Sequence, residues 1–115
     1  MDKEEQQKIS IDDFKKIQAR VGRVVVAEAV PDSDKLIRFE IDFGDERRQI
    51  LSAIRQWYPE PSALLGKQLL FCTNLVPRTI RGFESNGMLM AVSDEQEIPI
   101  LLTPEHSVPD GSMMR

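Results

Sequence analysis

The chain has 115 residues, of which 41% are hydrophobic and 30% are charged, and its formal net charge is −4 at pH 7. This length predicts one domain, no apolar run comes near the roughly 20 residues that cross a bilayer, and the single cysteine, Cys72, excludes an intramolecular disulfide. The acidic total argues against a nucleic-acid partner, but residues 14–90 hold twelve Lys and Arg against nine Asp and Glu, so the centre of the chain is mildly basic between acidic ends.

The N-terminal region combines an acidic tail with a short helix signal. Residues 1–9 are polar and acidic and lack the pattern of a secretory signal, which predicts a flexible tail on a cytoplasmic protein. Ser10 can cap a helix, and the spacing of apolar residues predicts that this helix runs from Ile11 to Ile17. Residues 10–115 are then expected to form one domain.

Short β-branched or alternating runs, separated by Gly, Pro and Asp, predict an all-β fold. The expected strands are residues 20–30, 35–43, 47–54, 67–73 and 87–93, followed by shorter strands at 97–102 and 108–114. One helical turn at 62–65 precedes the fourth strand. Five strands with a helical insert at this position predict an OB-fold barrel, whose face and loops commonly bind oligonucleotides. The last two strands form a C-terminal β extension.

The stretch from Thr73 to Ala91 centres on a predicted loop that is long for a hairpin. Loops of this length in a compact domain are usually functional or disordered. The loop contains donors suited to phosphate or base contacts, namely Asn74, Arg78, Arg81 and Ser85. It is therefore a candidate binding loop, and the alternative is an ordinary surface loop whose arginines lie in water.

Further basic residues of the predicted barrel, Lys35, Arg38 and Arg55 among them, favour a polyanion, because a planar guanidinium can bond two phosphate oxygens. Phe83 is the aromatic residue of the loop that could contact a base. The only histidine, His106, lies in a Pro- and Glu-containing turn and indicates no catalytic base. The sequence predicts no cofactor, no metal site and no catalytic motif, and so favours a binding module.

The order of residues in this loop is its most specific feature. It reads Asn74-Leu75-x-Pro77-Arg78-x-x-Arg81-Gly82-x-x-Ser85-x-Gly87-Met88-Leu89. Together with Ile11-Asp12-Asp13-Phe14, Arg20-Val21-Gly22 and Leu101-Leu102-Thr103-Pro104, it resembles the tRNA-binding domain family. That domain occurs as a free-standing dimeric protein and at the C-terminus of bacterial methionyl-tRNA synthetases, and the CsaA-type export chaperone is a close relative. The resemblance covers nearly the whole chain.

The resemblance implies a non-catalytic OB-fold that binds tRNA by its structure, alone or as an accessory part of methionyl-tRNA synthetase. It implies that Asn74, Arg78, Arg81, Ser85 and Met88 line the RNA-binding surface and that basic residues of the barrel face contact the backbone. It also implies a homodimer formed by the N-terminal helix and the C-terminal extension. The alternatives are a CsaA-type chaperone that binds polypeptides and a purely structural dimerisation module.

Overall fold

The structure, a computed structural model, describes residues 7–115. It is almost entirely β, as predicted, with one short helix, α1 (Ile11–Phe14), and one 3₁₀ turn (Pro61–Leu64) in the described range. The strands of that range are β1 (Ala19–Ala29), β2 (Ile37–Asp42), β3 (Arg47–Ser52), β4 (Gln68–Cys72), β5 (Arg78–Ile80), β6 (Phe83–Ser85), β7 (Met88–Leu89), β8 (Ala91–Ser93) and β9 (Pro99–Leu101).

The main sheet has five antiparallel strands in the order β3-β2-β1-β4-β7. Strand β1 is eleven residues long and serves both halves of this sheet, because Arg23 pairs with Asp42 of β2 and with Gln68 of β4. A bulge between Val24 and Val26 bends β1 next to Arg23, where its pairing with β4 gives way to its pairing with β2. The sheet therefore curls into the OB-like barrel that the sequence predicts.

Gly22 lies in β1 just before this register shift. The packing of the core explains why a glycine is found there. A Cβ at this position would lie 2.3 Å from Cγ2 of Ile41 and 2.8 Å from Cε1 of Phe43. Gly22 thus allows the core side chains of Ile41 and Phe43 to pack directly against the backbone of β1.

The core lies inside the curled sheet and follows the alternation of β2, whose Ile37, Phe39 and Ile41 are fully buried. A second, smaller cluster lies on the opposite face of the sheet, where Leu51 of β3 packs with Val30 and Leu36. Residues of the β5–β6 hairpin cover this outer cluster. The hairpin is thereby fixed onto the outside of the barrel.

Three predicted elements differ from the structure. The first helix ends at Phe14 rather than Ile17, and the predicted fifth strand is interrupted at Met90, so that β7 and β8 join different sheets. The segment 108–114 is not a regular strand, although one bridge between Met113 and Arg20 and three backbone hydrogen bonds to Ala19 and Val21 attach it to β1. A proline and a glycine at φ +94° within the segment interrupt strand geometry. Most of the predicted tail, residues 1–6, lies outside the described range.

Candidate nucleic-acid interface

The expected long loop is largely a β-hairpin, which corrects the sequence interpretation. Strands β5 and β6 pair in register, and Arg81 and Gly82 connect them with φ of +53° and +84°. Two consecutive positive φ values characterise a type I′ turn, the favoured connection of two-residue hairpins. An arginine in this left-handed conformation is strained by roughly 1–2 kcal/mol, so the turn holds Arg81 at the hairpin tip at some cost.

Apolar contacts hold the hairpin against the barrel. Ile80 and Phe83 pack on the outer cluster around Leu51. Phe83 is half-buried, and its ring packs on this cluster. Gln49 adds a polar contact, because its Nε2 donates to the carbonyl of Glu84 at 2.9 Å.

Ser85 lies at the base of the hairpin and is buried, with 5% of its surface exposed. Its Oγ accepts a hydrogen bond from the N–H of Leu51 at 3.0 Å and donates one to the carbonyl of Gly87 at 3.2 Å. The hydroxyl thus acts as both donor and acceptor within the protein. Ser85 attaches the base of the hairpin to β3 and so fixes the position of the hairpin.

Asn74 is exposed, but its amide is also engaged. Nδ2 donates to the carbonyl of Lys16 at 2.6 Å, and Oδ1 accepts from the N–H of Gln18 at 2.9 Å. The neighbouring Thr73 adds a bond from its N–H to the carbonyl of Gln18 at 2.8 Å. This end of the loop is therefore attached to the segment between α1 and β1.

Two of the predicted arginines support the turn between β1 and β2. Arg81 donates from Nη1 to the carbonyl of Asp32 at 3.1 Å, and Arg55 donates to the carbonyl of Ser33. Both belong to the same turn, so the arginines connect it to the hairpin tip and to the segment after β3. Lys35 lies at the end of this turn, and its side chain is exposed.

Arg38 lies on the outer face of β2 and has three internal acceptors. Nε donates to Glu28 at 2.9 Å, and Nη1 donates to Glu40 at 3.0 Å and to Gln49 at 2.9 Å. The hydrogen bond with the Glu28 carboxylate raises the pKa of Arg38 above its ordinary value. Its charge is balanced by two carboxylates, which weakens its attraction for phosphate.

Arg78 differs from the other predicted arginines. It is exposed at the start of β5, and its side chain makes no hydrogen bond or ion pair with any of residues 7–115. The guanidinium therefore keeps its full set of donors for a ligand. It lies beside a cavity of about 270 Å³, here called the loop pocket, whose lining is Leu51, Leu75, Val76, Arg78, Ser85, Gly87 and Met88.

The loop pocket has mostly apolar walls, and four of its lining residues were not among the predicted site residues, namely Leu51, Leu75, Val76 and Gly87. Leu75 is 44% exposed, Val76 is 86% exposed, and the predicted Met88 is 49% exposed. In the sequence, the available signal for this pocket was the pair of aliphatic residues Leu75 and Val76 next to Pro77 in an otherwise polar segment. The structure brings Arg78, Ser85 and Met88 together at this pocket, whereas Asn74, Arg81, Lys35, Arg38 and Arg55 do not line it.

Arginines also organise one end of the barrel, where Arg20 and Arg48 lie over the ring of Phe43 at 5.3 and 5.9 Å from its centroid. A hydrogen bond from Arg20 lowers the pKa of Asp45, and one from Arg48 lowers the pKa of Glu46. These arginines are engaged within the fold.

A second apolar surface, here called the terminal face, joins the two ends of the described chain. A cavity of about 410 Å³ lies between α1 and the C-terminal segment, lined by Ile11, Phe14, Lys15, Ile17, Gln18, Met113, Met114 and Arg115. Ile11 is 66% exposed, and Ile17 and Met113 are about half exposed. Apolar surface of this kind in a small domain indicates an interaction site.

Comparison with protein families identifies the chain. Residues 19–113 match the family model described as "Putative tRNA binding domain". The chain belongs to this family. The match includes the hairpin and the whole loop pocket, and it confirms the resemblance that the loop motif carries.

The curated relatives of this tRNA-binding-family domain include larger proteins. It is 45% identical over 107 residues to a methionine–tRNA ligase of Methanospirillum hungatei and 44% identical over 107 residues to that of Deinococcus radiodurans. These alignments cover 93% of the chain but only 16% of each ligase.

Solved structures of similar size share the fold. A MetRS-related protein from Pyrococcus horikoshii superposes with a TM-score of 0.90 at 35% identity, covering 96% of this chain and all of the other. A chaperone CsaA from Bacillus anthracis superposes with a TM-score of 0.84 at 30% identity, covering 95% of this chain and all of the other. Within residues 7–115, no helix is long and apolar enough to cross a membrane.

Proposed function

We propose that this domain is a non-catalytic module that binds tRNA through its shape and backbone, as a free-standing protein or as an accessory part of a methionyl-tRNA synthetase. The observation that carries the proposal is that the Arg78 guanidinium lies at the loop pocket and bonds none of residues 7–115. Membership of a tRNA-binding family and the similarity to methionine–tRNA ligases supply the ligand class. A tRNA partner also favours the cytoplasm as the site of action.

The mechanism is electrostatic capture by an interface that is largely preorganised. Arg78 and Lys35 present exposed cations, while Arg81 retains donors beyond the one that bonds Asp32. Ser85 and Asn74 hold the loop in place through their internal hydrogen bonds. Since each phosphate neutralised releases counterions, the affinity for tRNA falls steeply with salt.

The proposal includes a homodimer formed through the terminal face. The exposed apolar residues of α1 and of the C-terminal segment form one continuous lining and are the surface that a second copy would bury. A dimer places two interfaces on one assembly, which raises the effective affinity for one large RNA. Sedimentation equilibrium tests it: twice the chain mass of 13.1 kDa is expected, and a single 13.1 kDa species at high concentration refutes it.

A polypeptide-binding chaperone is the second candidate, because the CsaA structure shares the fold and because the loop pocket is apolar. Equilibrium binding of labelled bulk tRNA and of a labelled unfolded polypeptide separates the two. We expect tRNA to bind in the micromolar range at low salt and to lose affinity steeply as salt rises. If tRNA does not bind at low salt and the polypeptide binds independently of salt, the domain is a polypeptide-binding chaperone and the tRNA proposal is wrong.

A further inference from the structure

We propose that the loop pocket holds one unpaired nucleotide of the bound RNA, with the base against its apolar walls and the adjoining phosphate on Arg78. This inference rests on the proposed function and specifies which part of an RNA the site accepts. Two kinds of group meet in the pocket. The Arg78 guanidinium, which bonds none of residues 7–115, lies beside aliphatic side chains and beside the Ser85 hydroxyl, which is already hydrogen-bonded within the protein.

The size of the pocket fits a single base. Its volume is about 270 Å³, slightly below the roughly 300–1,000 Å³ of sites that bury a drug-sized ligand. A paired base offers only its polar edge from the groove, whereas an unpaired base can leave the stack and present its apolar face. The side chains of Leu75, Val76 and Met88 suit the face of a base and form no hydrogen bond to its edge.

The charge at the mouth favours a nucleotide over an apolar peptide side chain. A phosphate follows every base at short distance along the chain, and the Arg78 guanidinium can bond two of its oxygens. The backbone N–H groups of Leu75 and Val76 also donate to none of residues 7–115. A ligand that is both flat and anionic uses all of these groups, whereas an apolar side chain leaves the guanidinium without a partner.

The same geometry predicts weak discrimination among the four bases. The Ser85 hydroxyl already bonds Leu51 and Gly87, so it does not read a base edge. Contacts to a base face tolerate any sequence, because every base has a π-face. The pocket therefore selects an unpaired position in a folded RNA, whatever its base.

The test compares two blunt-ended RNA duplexes, which have no loop and therefore no other unpaired nucleotide. One carries an unpaired, bulged 2-aminopurine, and the other carries 2-aminopurine paired with uridine. The wild-type chain is expected to bind the unpaired form about fivefold more tightly, near the lower end of what base stacking contributes because the walls lack aromatic rings. The emission of the unpaired 2-aminopurine should also change when the protein binds.

Two matched variants locate the effect. Val76→Asp places a carboxylate on the pocket wall, and Val92→Asp places one on β8, away from the pocket; both valines are exposed, at 86% and 52%, so both variants are expected to fold. Val76→Asp should abolish the preference for the unpaired base, and Val92→Asp should retain it. Circular dichroism of both variants confirms that they are folded.

The outcomes separate this inference from the proposed function. Equal, salt-dependent binding of both duplexes, or a preference that Val76→Asp leaves intact, overturns the pocket inference and leaves tRNA binding standing. Failure to bind bulk tRNA as well as both duplexes overturns both proposals. Binding of an unfolded polypeptide that Val76→Asp alone abolishes, without any preference between the RNAs, assigns the pocket to polypeptide and also overturns the inference.

Discussion

The side-chain amide of Asn74 bonds the backbone of Gln18, 56 positions earlier in the chain, at 2.9 Å, and it reaches the carbonyl of Lys16 at 2.6 Å. This residue, expected at an RNA surface, thus fastens the binding loop to the segment that leads from α1 into β1. The terminal face includes Gln18, so Asn74 links that face to the loop.

Replacement of Asn74 by alanine is expected to lower the free energy of unfolding by about 1–3 kcal/mol, because two hydrogen bonds are lost at once. Thermal unfolding measures the change. Asn86→Ala is the matched control, since the Asn86 side chain makes no hydrogen bond with residues 7–115, and it should cost much less. Equal losses in the two variants would show that the amide bonds of Asn74 contribute little.

Replacement of Ser85 by alanine tests a structural role against an RNA-contacting role. The variant leaves the buried N–H of Leu51 without its acceptor, which should cost about 1–3 kcal/mol of stability. Ser93→Ala, at an exposed position, should be nearly neutral. Affinity for tRNA, measured well below the melting temperature, should change little, and a large loss of affinity in a stable variant would instead make Ser85 a direct contact.

The turn at the hairpin tip predicts that replacement of Arg81 by glycine has little effect on stability. Arg81→Gly removes the bond to Asp32 but also relieves the left-handed strain, so stability should change by no more than about 1 kcal/mol. Arg81→Val, with a β-branched side chain at positive φ, should be less stable than Arg81→Gly by at least about 1 kcal/mol. Chemical denaturation measures both, and similar stabilities would contradict the type I′ assignment.

The ion pairs at the barrel end predict a stability profile in acid. The pKa values of Asp45 and Glu46 lie below their ordinary values of 3.8 and 4.5 because Arg20 and Arg48 bond the carboxylates. A lowered pKa gives stability that is present above the ordinary value and lost as the pH falls through the lowered one. The melting temperature should therefore be flat above about pH 5 and fall below about pH 4. The double variant Asp45→Asn, Glu46→Gln should show a shallower fall, and an unchanged slope would exclude these pairs as the cause.

The sequence was sufficient for the barrel and insufficient for the roles of the polar loop residues. Strict alternation in β2 predicted its buried face, because a strand periodicity is local information. The hairpin was missed because its turn is Arg81-Gly82 and not the Asn-Gly or Asp-Gly pair that signals a two-residue hairpin. The partners of Asn74 and Ser85 lie 56 and 34 positions away, so only the folded chain shows that these donors are already engaged. The same tertiary information shows that the Arg78 side chain bonds none of residues 7–115.

The central claim is that Arg78 binds a phosphate of tRNA, and a salt titration of bulk tRNA binding tests it most directly. Arg78→Gln should weaken binding at low salt and reduce the slope of log K against log salt by about 0.7–0.9, the contribution of one phosphate. Lys67→Gln removes the same charge from an exposed position outside the loop pocket and should leave the slope unchanged. Identical slopes for the wild type and Arg78→Gln, or an equal decrease in both variants, would contradict the claim.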